Sequence, residues 1–287
     1  MMGNVYHNIA GKKAAMSKSQ LKIAEYILEN PNAVSFLTVG KLAKVTGVSE
    51  ATVVRFATFL GYTGYTELQQ EVQASLQHQL TTSERLKISK QVYDEKEKGV
   101  DEVFRDDMAN IKATMEELDV EDFHKAVNYI LNAETVYIFA NRSAMSLGVF
   151  LHYYLSMILD DVKLLHSVET ASDSLYHINK DDVSIGISFA RYTKSTTELF
   201  SFAQEKGAKT IAITDNLVSP LIPYADVPLK ASSQMPTFID SFAAPLSLIN
   251  ALITFVSREK QEDIHERLEE LEGIWRRFDI FHLNKSE

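Results

Sequence analysis

The chain has 287 residues, of which 45% are hydrophobic and 24% charged, as in an ordinary globular protein of two domains. No apolar run reaches the roughly 18 residues that a membrane span needs, and the N-terminus lacks the apolar segment of a signal peptide. The absence of cysteine excludes disulfides and thiolate-based zinc sites, so we expect a cytoplasmic protein that does not contact a membrane.

The net charge of −10 is unevenly distributed along the chain. Residues 1–80 contain seven Lys and Arg against five Asp and Glu, whereas residues 81–130 contain eight against thirteen. The remainder contains fourteen against twenty-one, so only the first segment has a positive balance. A small excess of this kind permits contacts with nucleic-acid phosphates without requiring them.

The first eighty residues predict helices joined by short turns, and the pattern is clearest in residues 38–61. A first helix is followed by Gly47, at a position where a tight turn needs positive φ, and by Ser49, a natural N-cap for a second helix. The residues expected on the inner face of the first helix are Val39, Leu42, Ala43 and Val45. The residues expected in the apolar stripe of the second helix are Val53, Phe56, Ala57 and Leu60.

The outer face of the second helix carries polar side chains. Arg55 suits a guanine edge or a phosphate, and Ser49 and Thr52 near the positive helix N-terminus suit phosphate contacts. Glu50 lies at the exposed start of the helix. This pattern is typical of a DNA recognition helix, although a small helical bundle that packs on another domain is an alternative interpretation.

The segment "LAKVTGVSEATVVRFATFLGYTGYTEL" (42–68) closely resembles the N-terminal domain of the RpiR family of bacterial transcription regulators. The resemblance extends without a gap over residues 24–68 and implies that the outer face of the second helix contacts DNA. By position and charge, Lys18, Lys41 and Lys44 are further candidates for contacts with the phosphate backbone. The predicted DNA-binding residues are Lys41, Ser49, Glu50, Thr52 and Arg55.

The remaining sequence predicts a linker and a second domain. We place a helix-turn-helix domain at 1–80, a helical and charged linker at 81–105 and an effector-binding and dimerisation domain at 106–287. Continuous apolar runs that alternate with helical segments predict a parallel sheet covered on both faces, a doubly wound α/β sandwich. The tail, 240–282, predicts one long helix. The predicted strands are 135–140, 162–165, 183–188, 209–214 and 226–229.

Two of the predicted strand ends combine hydroxyl groups with an arginine. Ligands bind at the carboxyl ends of such strands, where helix N-termini converge, and arginine grips phosphate or carboxylate with two parallel hydrogen bonds. Ser and Thr at helix starts are also ordinary caps, and a loop arginine can be a simple surface charge. The predicted effector-binding residues are Asn141, Arg142, Ser143, Ser188, Arg191, Tyr192, Thr193 and Ser195.

The segments "VYIFANRSA", "DDVSIGIS" and "AQEKGAKTIAITDNLVSPLIPYADVPL" resemble the SIS (sugar isomerase) domain, the usual effector domain of RpiR regulators. Its common second loop is Ser-x-Ser-Gly-x-Thr, and here Ala190-Arg191 replaces Ser-Gly while Ser188 and Thr193 remain. Its common first loop is Gly-x-Gly-x-Ser or Gly-x-Gly-Arg-Ser, and here it is Phe-Ala-Asn-Arg-Ser (139–143). Arg191 therefore either grips an anion through its side chain or fills the pocket that a glycine leaves open.

The favoured hypothesis is a transcription regulator whose SIS domain senses a small anionic metabolite, either a sugar phosphate or an acidic sugar derivative. The alternative is a sugar-phosphate isomerase with an accessory helical domain, which needs a general base such as His166, Glu169 or His177. Nothing pairs these residues by spacing, and the sequence contains no nucleotide-binding loop or metal-ligand pair. We therefore expect no catalytic residue, cofactor or metal.

The hypothesis implies a homodimer or homotetramer that binds a double-stranded operator, with two recognition helices about one DNA turn apart. The apolar segment 146–159 and the C-terminal helix are candidate dimer surfaces, and both could instead belong to the core of one chain. The C-terminal residues concerned are Ile264, Leu268, Leu271 and Ile274.

Overall fold

The computed structural model describes residues 4–34, 37–75, 81–92 and 98–282. The chain divides into two compact units. The first comprises residues 1–117, 215–218 and 231–245, and the second comprises 118–214, 219–230 and 246–287. Among the helices of the described ranges, none combines the length and the hydropathy that a membrane span requires.

The first unit is helical. Its core is formed by apolar side chains that recur at helical spacing, among them Ile23, Leu42, Val53 and Phe56, which are fully buried. The helices are α1 (Asn4–Lys12), α2 (Lys18–Glu29), α3 (Pro31–Val34), α4 (Val39–Thr46), α5 (Glu50–Leu60), α6 (Tyr65–Ser75), α7 (Thr82–Val92) and α8 (Lys98–Glu117).

The predicted helix-turn-helix corresponds to α4 and α5. Gly47 ends α4 with a φ of 65°, and the Ser49 hydroxyl accepts a hydrogen bond from the Thr52 N–H at the start of α5, as expected. The predicted stripe of α5 is buried, but the prediction for Val45 is wrong, since its side chain is 43% exposed. The inner face of α4 is instead completed by Thr46, whose hydroxyl donates to the Leu42 carbonyl.

The expected linker, 81–105, corresponds to α7 and the first part of α8, and its residues 93–97 lie outside the described ranges. Both helices belong to the first unit. In α8 the buried Asp106 binds Lys41 of α4, and the buried Asn110 binds Ser232 and Gln234 in the segment that follows β5.

The second unit is an α/β sandwich, as predicted. In its described residues the strands form one parallel sheet in the order β2-β1-β3-β4-β5. The strands are β1 (Val136–Ala140), β2 (Val162–Leu165), β3 (Val183–Ile187), β4 (Lys209–Thr214) and β5 (Val227–Lys230), within one residue of the prediction at each end. The helices are α9 (Val120–Leu131), α10 (Met145–Ile158), α11 (Val168–Tyr176), α12 (Lys194–Glu205), α13 (Ala243–Glu259) and α14 (Gln261–Arg277).

The strand order reverses direction between β1 and β3, which pair directly with Ala140 opposite Ile187. A reversal of this kind leaves a crevice at the carboxyl ends of the two strands, because the chain leaves them toward opposite faces of the sheet. The loops after β1 and β3 are those in which the sequence predicts the effector site.

Close packing of helices on the sheet fixes the elements around this crevice. A Cβ atom on Gly148 of α10 would lie 2.7 Å from the Ala140 Cβ, so only glycine allows α10 to approach β1 so closely. The tail differs from the prediction of one helix, because Lys260 leaves the helical conformation (φ −105°, ψ 20°) and separates α13 from α14. The later helix, α14, packs against α10, and Arg267 forms an ion pair of 2.9 Å with Asp160.

Candidate functional site

The second helix of the predicted helix-turn-helix, α5, rests on a buried stripe and turns a polar face outward. Val53, Phe56 and Ala57 are fully buried, whereas Glu50 and Arg55 are exposed. An 11-residue helix of this kind is long enough to enter the major groove with its N-terminal half. The first unit also contains an open groove of about 970 Å³ beside the N-terminus of α5, lined by residues that include Glu50 and Val54.

Hydrogen bonds order the polar face of α5. The hydroxyls of Ser49 and Thr52 are 2.8 Å apart, and the Arg55 guanidinium donates to the Thr52 hydroxyl at 3.3 Å. Because these three side chains are held in one row on the exposed surface, they would lose little conformational freedom on binding a ligand. The structure therefore brings together three of the five predicted DNA-binding residues.

The structure places Lys41 differently from the other predicted DNA contacts. Its side chain is buried, and its ammonium lies 2.6 Å from a carboxylate oxygen of Asp106 on α8. Burial lowers the pKa of Lys41, and the hydrogen bond and the charge of Asp106 act in the opposite direction. In this conformation Lys41 cannot reach a DNA phosphate without displacing Asp106, whereas Lys18 and Lys44 are exposed.

The candidate effector site lies at the crevice between β1 and β3. Asn141 follows β1, and its side-chain amide donates a hydrogen bond of 2.9 Å to the hydroxyl of Thr196 in the first turn of α12. This bond ties the loop after β1 to the helix that follows β3. The two predicted loops are thus adjacent, and Thr196 is a buried contributor outside the predicted set.

Both predicted arginines have a left-handed backbone. Arg142 has a φ of 54° and Arg191 a φ of 68°, a region that glycine enters freely and other residues rarely. Arg191 is the residue that replaces glycine in the family pattern, so the loop retains the backbone that a glycine would have and adds an exposed guanidinium. Strain of this kind is concentrated at ligand sites, where the surrounding structure maintains it.

The other predicted effector residues occupy different depths. Ser188 is buried; its N–H donates to the Ile213 carbonyl, which continues the pairing of the sheet, and its carbonyl accepts a hydrogen bond from the Thr214 hydroxyl. Thr193 precedes α12, and its side chain makes no capping hydrogen bond, which leaves the helix N-terminus without the ordinary cap. Ser143 is exposed, and Tyr192 and Ser195 are half-buried at the loop surface.

The residues proposed for the alternative isomerase function are not arranged as a catalytic group. His166, Glu169 and His177 are all exposed. Hydrogen bonds from its own backbone N–H and from Ser167 lower the pKa of Glu169, which makes its carboxylate a weaker base, whereas an efficient general base has a pKa near the operating pH. In the described part of the chain no cluster of His, Asp and Glu could hold a metal ion.

One polar cluster in the first unit was not predicted from the sequence. Asp106 and Asn110 of α8 are almost completely buried, and Asn110 exchanges hydrogen bonds with Ser232 and Gln234 in the segment that follows β5. The spacing of four residues between Asp106, Asn110 and Thr114 was the available signal. It could not be interpreted, because polar residues at helical spacing usually form an exposed face.

A helix-turn-helix unit with an ordered polar recognition face and an α/β sandwich of SIS type together define a class of proteins, the bacterial transcription regulators. The chain matches the helix-turn-helix domain of the rpiR family at residues 3–79 and the SIS domain at residues 129–255. The protein belongs to the RpiR family of helix-turn-helix transcriptional regulators and is not an enzyme.

Relatives of nearly full length support this assignment. An uncharacterised HTH-type transcriptional regulator of Caldanaerobacter subterraneus subsp. tengcongensis is 30% identical over 274 residues, which cover 93% of this chain and 95% of that protein. The HTH-type transcriptional regulator HexR of Escherichia coli K12 is 25% identical over an alignment of 297 positions, gaps included, which covers 99% of each chain.

Two solved structures are similar to this one. The sugar isomerase domain of an RpiR transcription factor from Sphaerobacter thermophilus is 26% identical with a TM-score of 0.57, and the match covers 60% of this chain and 96% of that one. The Vibrio vulnificus NanR protein complexed with ManNAc-6P is 21% identical with a TM-score of 0.58, and the match covers 98% and 100% of the two chains. The second likeness is one of fold.

Proposed function

We propose that this regulator binds an operator through α5 and changes its affinity for DNA when a small anion binds at the ends of β1 and β3. The observation that carries the proposal is the ordered row of Ser49, Thr52 and Arg55 on the exposed face of a helix with a buried stripe. Ser49 and Thr52 suit phosphates near the helix N-terminus, and Arg55 suits a guanine edge. Such a protein acts in the cytoplasm, where the bacterial operator lies.

The proposed effector is a sugar phosphate or an acidic sugar derivative. Arg142 and Arg191 offer two guanidinium groups at adjacent strand ends, and the N-terminus of α12 adds backbone N–H groups and a positive dipole end. NanR, which shares the fold, forms a complex with the phosphorylated sugar ManNAc-6P. We assign Arg191 to gripping the anion, since the loop after β3 keeps it with a left-handed backbone and an exposed side chain.

We also propose that the protein is a homodimer, with the second unit contributing an interface between α10 and α14 of each chain. Val149, Tyr153 and Ile274 are about half exposed, and the two helices border a groove of about 430 Å³ lined by Leu271 and Trp275. Ile264, by contrast, is buried within its own chain. Exposed aromatic and aliphatic side chains around a groove are typical of a contact surface.

The first test measures binding of Arg55→Ala to an operator fragment selected from genomic DNA by the wild-type protein. If Arg55 contacts a phosphate, the slope of log K against log salt falls by about one; if it contacts a base, affinity falls by about 1–3 kcal/mol with the slope unchanged. Arg258→Ala is the matched control, because Arg258 is exposed on α13 in the second unit. Unchanged affinity and slope in Arg55→Ala would contradict the assignment of α5 as the recognition helix.

A further inference from the structure

The helix α8 buries its polar side and exposes its apolar side, the reverse of an ordinary amphipathic helix. Its polar residues Asp106, Asn110 and Thr114 are buried, and Glu102 is half-buried. Asp106 and Glu102 form ion pairs of 2.6 Å with Lys41 and Lys44 of α4. The interior of this chain therefore uses the polar side of α8.

The apolar side of α8 is exposed. Five of its residues, which we call the α8 stripe, are between 39% and 70% exposed. Together they expose on the order of 500 Å², near the upper end of what the largest patch of a monomer shows, and such patches mark interaction sites. The α8 stripe consists of Val100, Phe104, Met108, Ile111 and Met115.

The spacing of the α8 stripe matches that of a helix pair. Phe104 and Ile111 occupy d positions and Met108 and Met115 occupy a positions of two successive heptads, the pattern by which two copies of one helix interlock their side chains. The five residues follow one another at steps of four, four, three and four along the 20 residues of α8. A stripe with this spacing is complementary to itself, which favours a second copy of the same chain over an unrelated partner.

The charges beside the α8 stripe favour a parallel pair. In a parallel pair the half-buried Asp107, at a g position, is next to Lys112, at the following e position of the other chain, and the two charges attract. Within its own chain Asp107 also accepts a hydrogen bond from the Ser241 hydroxyl. In an antiparallel pair e positions face e positions, so Arg105 faces Lys112 of the other chain and the two positive charges repel. In each chain α4 is bound to α8 within the same unit. A parallel pair of α8 helices therefore holds the α4 and α5 helices of both chains at the same end of the pair, as binding to one operator requires.

We propose that α8 pairs with α8 of a second copy through the α8 stripe, in parallel, and that this pair sets the spacing of the two recognition helices. The proposal rests on the proposed function for the existence of two DNA half-sites. A standard interface buries about 800 Å² per partner. The exposed area of the α8 stripe, about 500 Å², is more than half of that figure.

The chain contains no cysteine, so a single introduced cysteine reports on the pair without background. We expect Phe104→Cys and Met115→Cys, each alone in the full-length protein, to form covalent dimers under a mild oxidant or a short bismaleimide. Glu116→Cys is the matched control, because this exposed residue lies beside Met115 but outside the α8 stripe. We expect adding Met108→Glu to either cysteine variant to lower the yield of covalent dimer about tenfold or more, and adding Tyr176→Glu, at an exposed site on α11, to leave it unchanged.

Two results would overturn the proposal. If Phe104→Cys and Met115→Cys cross-link no more than Glu116→Cys, the α8 stripe does not pair with a second copy. If neither cross-links alone but a mixture of the two does, the helices are antiparallel. Cross-linking is measured without DNA, so its failure is distinct from a failure of the recognition helix, which the Arg55→Ala experiment measures. Circular dichroism of each variant verifies that the fold is retained.

Discussion

At the scale of single residues, the loop after β3 contains the main departure from the family pattern. Arg191 stands where the SIS pattern has glycine, and its backbone is left-handed, with a φ of 68°. A non-glycine residue in this region costs about 1–2 kcal/mol. Retaining a strained arginine in place of glycine is consistent with a function for its side chain, either to grip an anion or to occupy the pocket.

Two substitutions of Arg191 separate these functions. We expect Arg191→Gly to be about 1 kcal/mol more stable than Arg191→Ala, since glycine removes the strain and alanine keeps it. If Arg191 grips the anion, both variants lose the thermal stabilisation that the wild-type protein gains from phosphorylated or acidic sugars. The measurement is a thermal-shift screen of the three proteins against a panel of such sugars.

Two other outcomes of the same screen would contradict a role of Arg191 in gripping the anion. A stronger response of Arg191→Gly than of the wild type would show that the side chain fills the pocket. Equal responses of all three proteins would show that Arg191 has no part in the site. Sequence patterns placed this loop between a strand and a helix, as the structure has it, but they could not reveal the positive φ of Arg191, which depends on how β3 and α12 constrain the residues between them.

At the scale of elements, the pairing of α4 with α8 is the feature that the sequence least anticipates. The predicted role of Lys41 as a DNA contact follows from its position on an apparently exposed helix. In the structure Lys41 is 7% exposed and paired with Asp106, a residue 65 positions away. Helical periodicity locates α4 and α8 individually, but it does not state which of their faces meet.

We expect Asp106→Asn to destabilise the first unit by about 2–3 kcal/mol, because the substitution weakens a hydrogen bond between two buried charged groups. The pKa of Lys41 should fall further, since Asp106 raises it against the effect of burial. The measurement is urea unfolding followed by circular dichroism.

The same pair of helices provides the control. Glu102 pairs with Lys44 at the same distance of 2.6 Å, but the Lys44 side chain is 65% exposed. We expect Glu102→Gln to cost no more than about 1 kcal/mol, because water screens an exposed pair. Equal unfolding midpoints for Asp106→Asn and the wild type would mean that the buried pair contributes nothing to the stability of the first unit.

At the scale of the whole molecule, a series of side-chain contacts in the first unit runs from α4 of the helix-turn-helix through α8 to the segment that follows β5. Lys41 of α4 binds Asp106 of α8, and one turn further along α8 the Asn110 side chain binds Ser232 and Gln234. The segment that contains Ser232 follows β5 directly in the chain. We propose that a change in the effector domain reaches α4 through these contacts.

Asn110→Ala tests this path. Coupling between effector and operator is reciprocal, so the effector changes affinity for DNA by the same factor by which DNA changes affinity for the effector. We expect Asn110→Ala to retain both binding activities and to lower the coupling by about 0.5–2 kcal/mol. Titration of DNA binding with and without the effector found in the sugar screen measures it.

Asn128→Ala is the control for this experiment, because Asn128 is an exposed asparagine on α9. Its coupling should equal that of the wild type. Undiminished coupling in Asn110→Ala would show that the signal does not depend on the hydrogen bonds between α8 and the segment after β5.

The sequence by itself determined the features that arise from local patterns. Apolar periodicity located the strands and most of the helices, and Gly47 and Ser49 defined the turn and cap of the helix-turn-helix. These features are predictable because each depends on residues within a few positions of one another, or on the general behaviour of parallel sheets.

Only the tertiary structure decided which faces meet. It buried Lys41 against Asp106, tied Asn141 to Thr196, 55 positions away, and turned the apolar stripe of α8 outward. These outcomes follow from contacts between distant segments, whose free energies compete across the whole chain and leave no local pattern. The sequence therefore identified the kind of protein, and the packing of its helices determined which of the predicted site residues lie together.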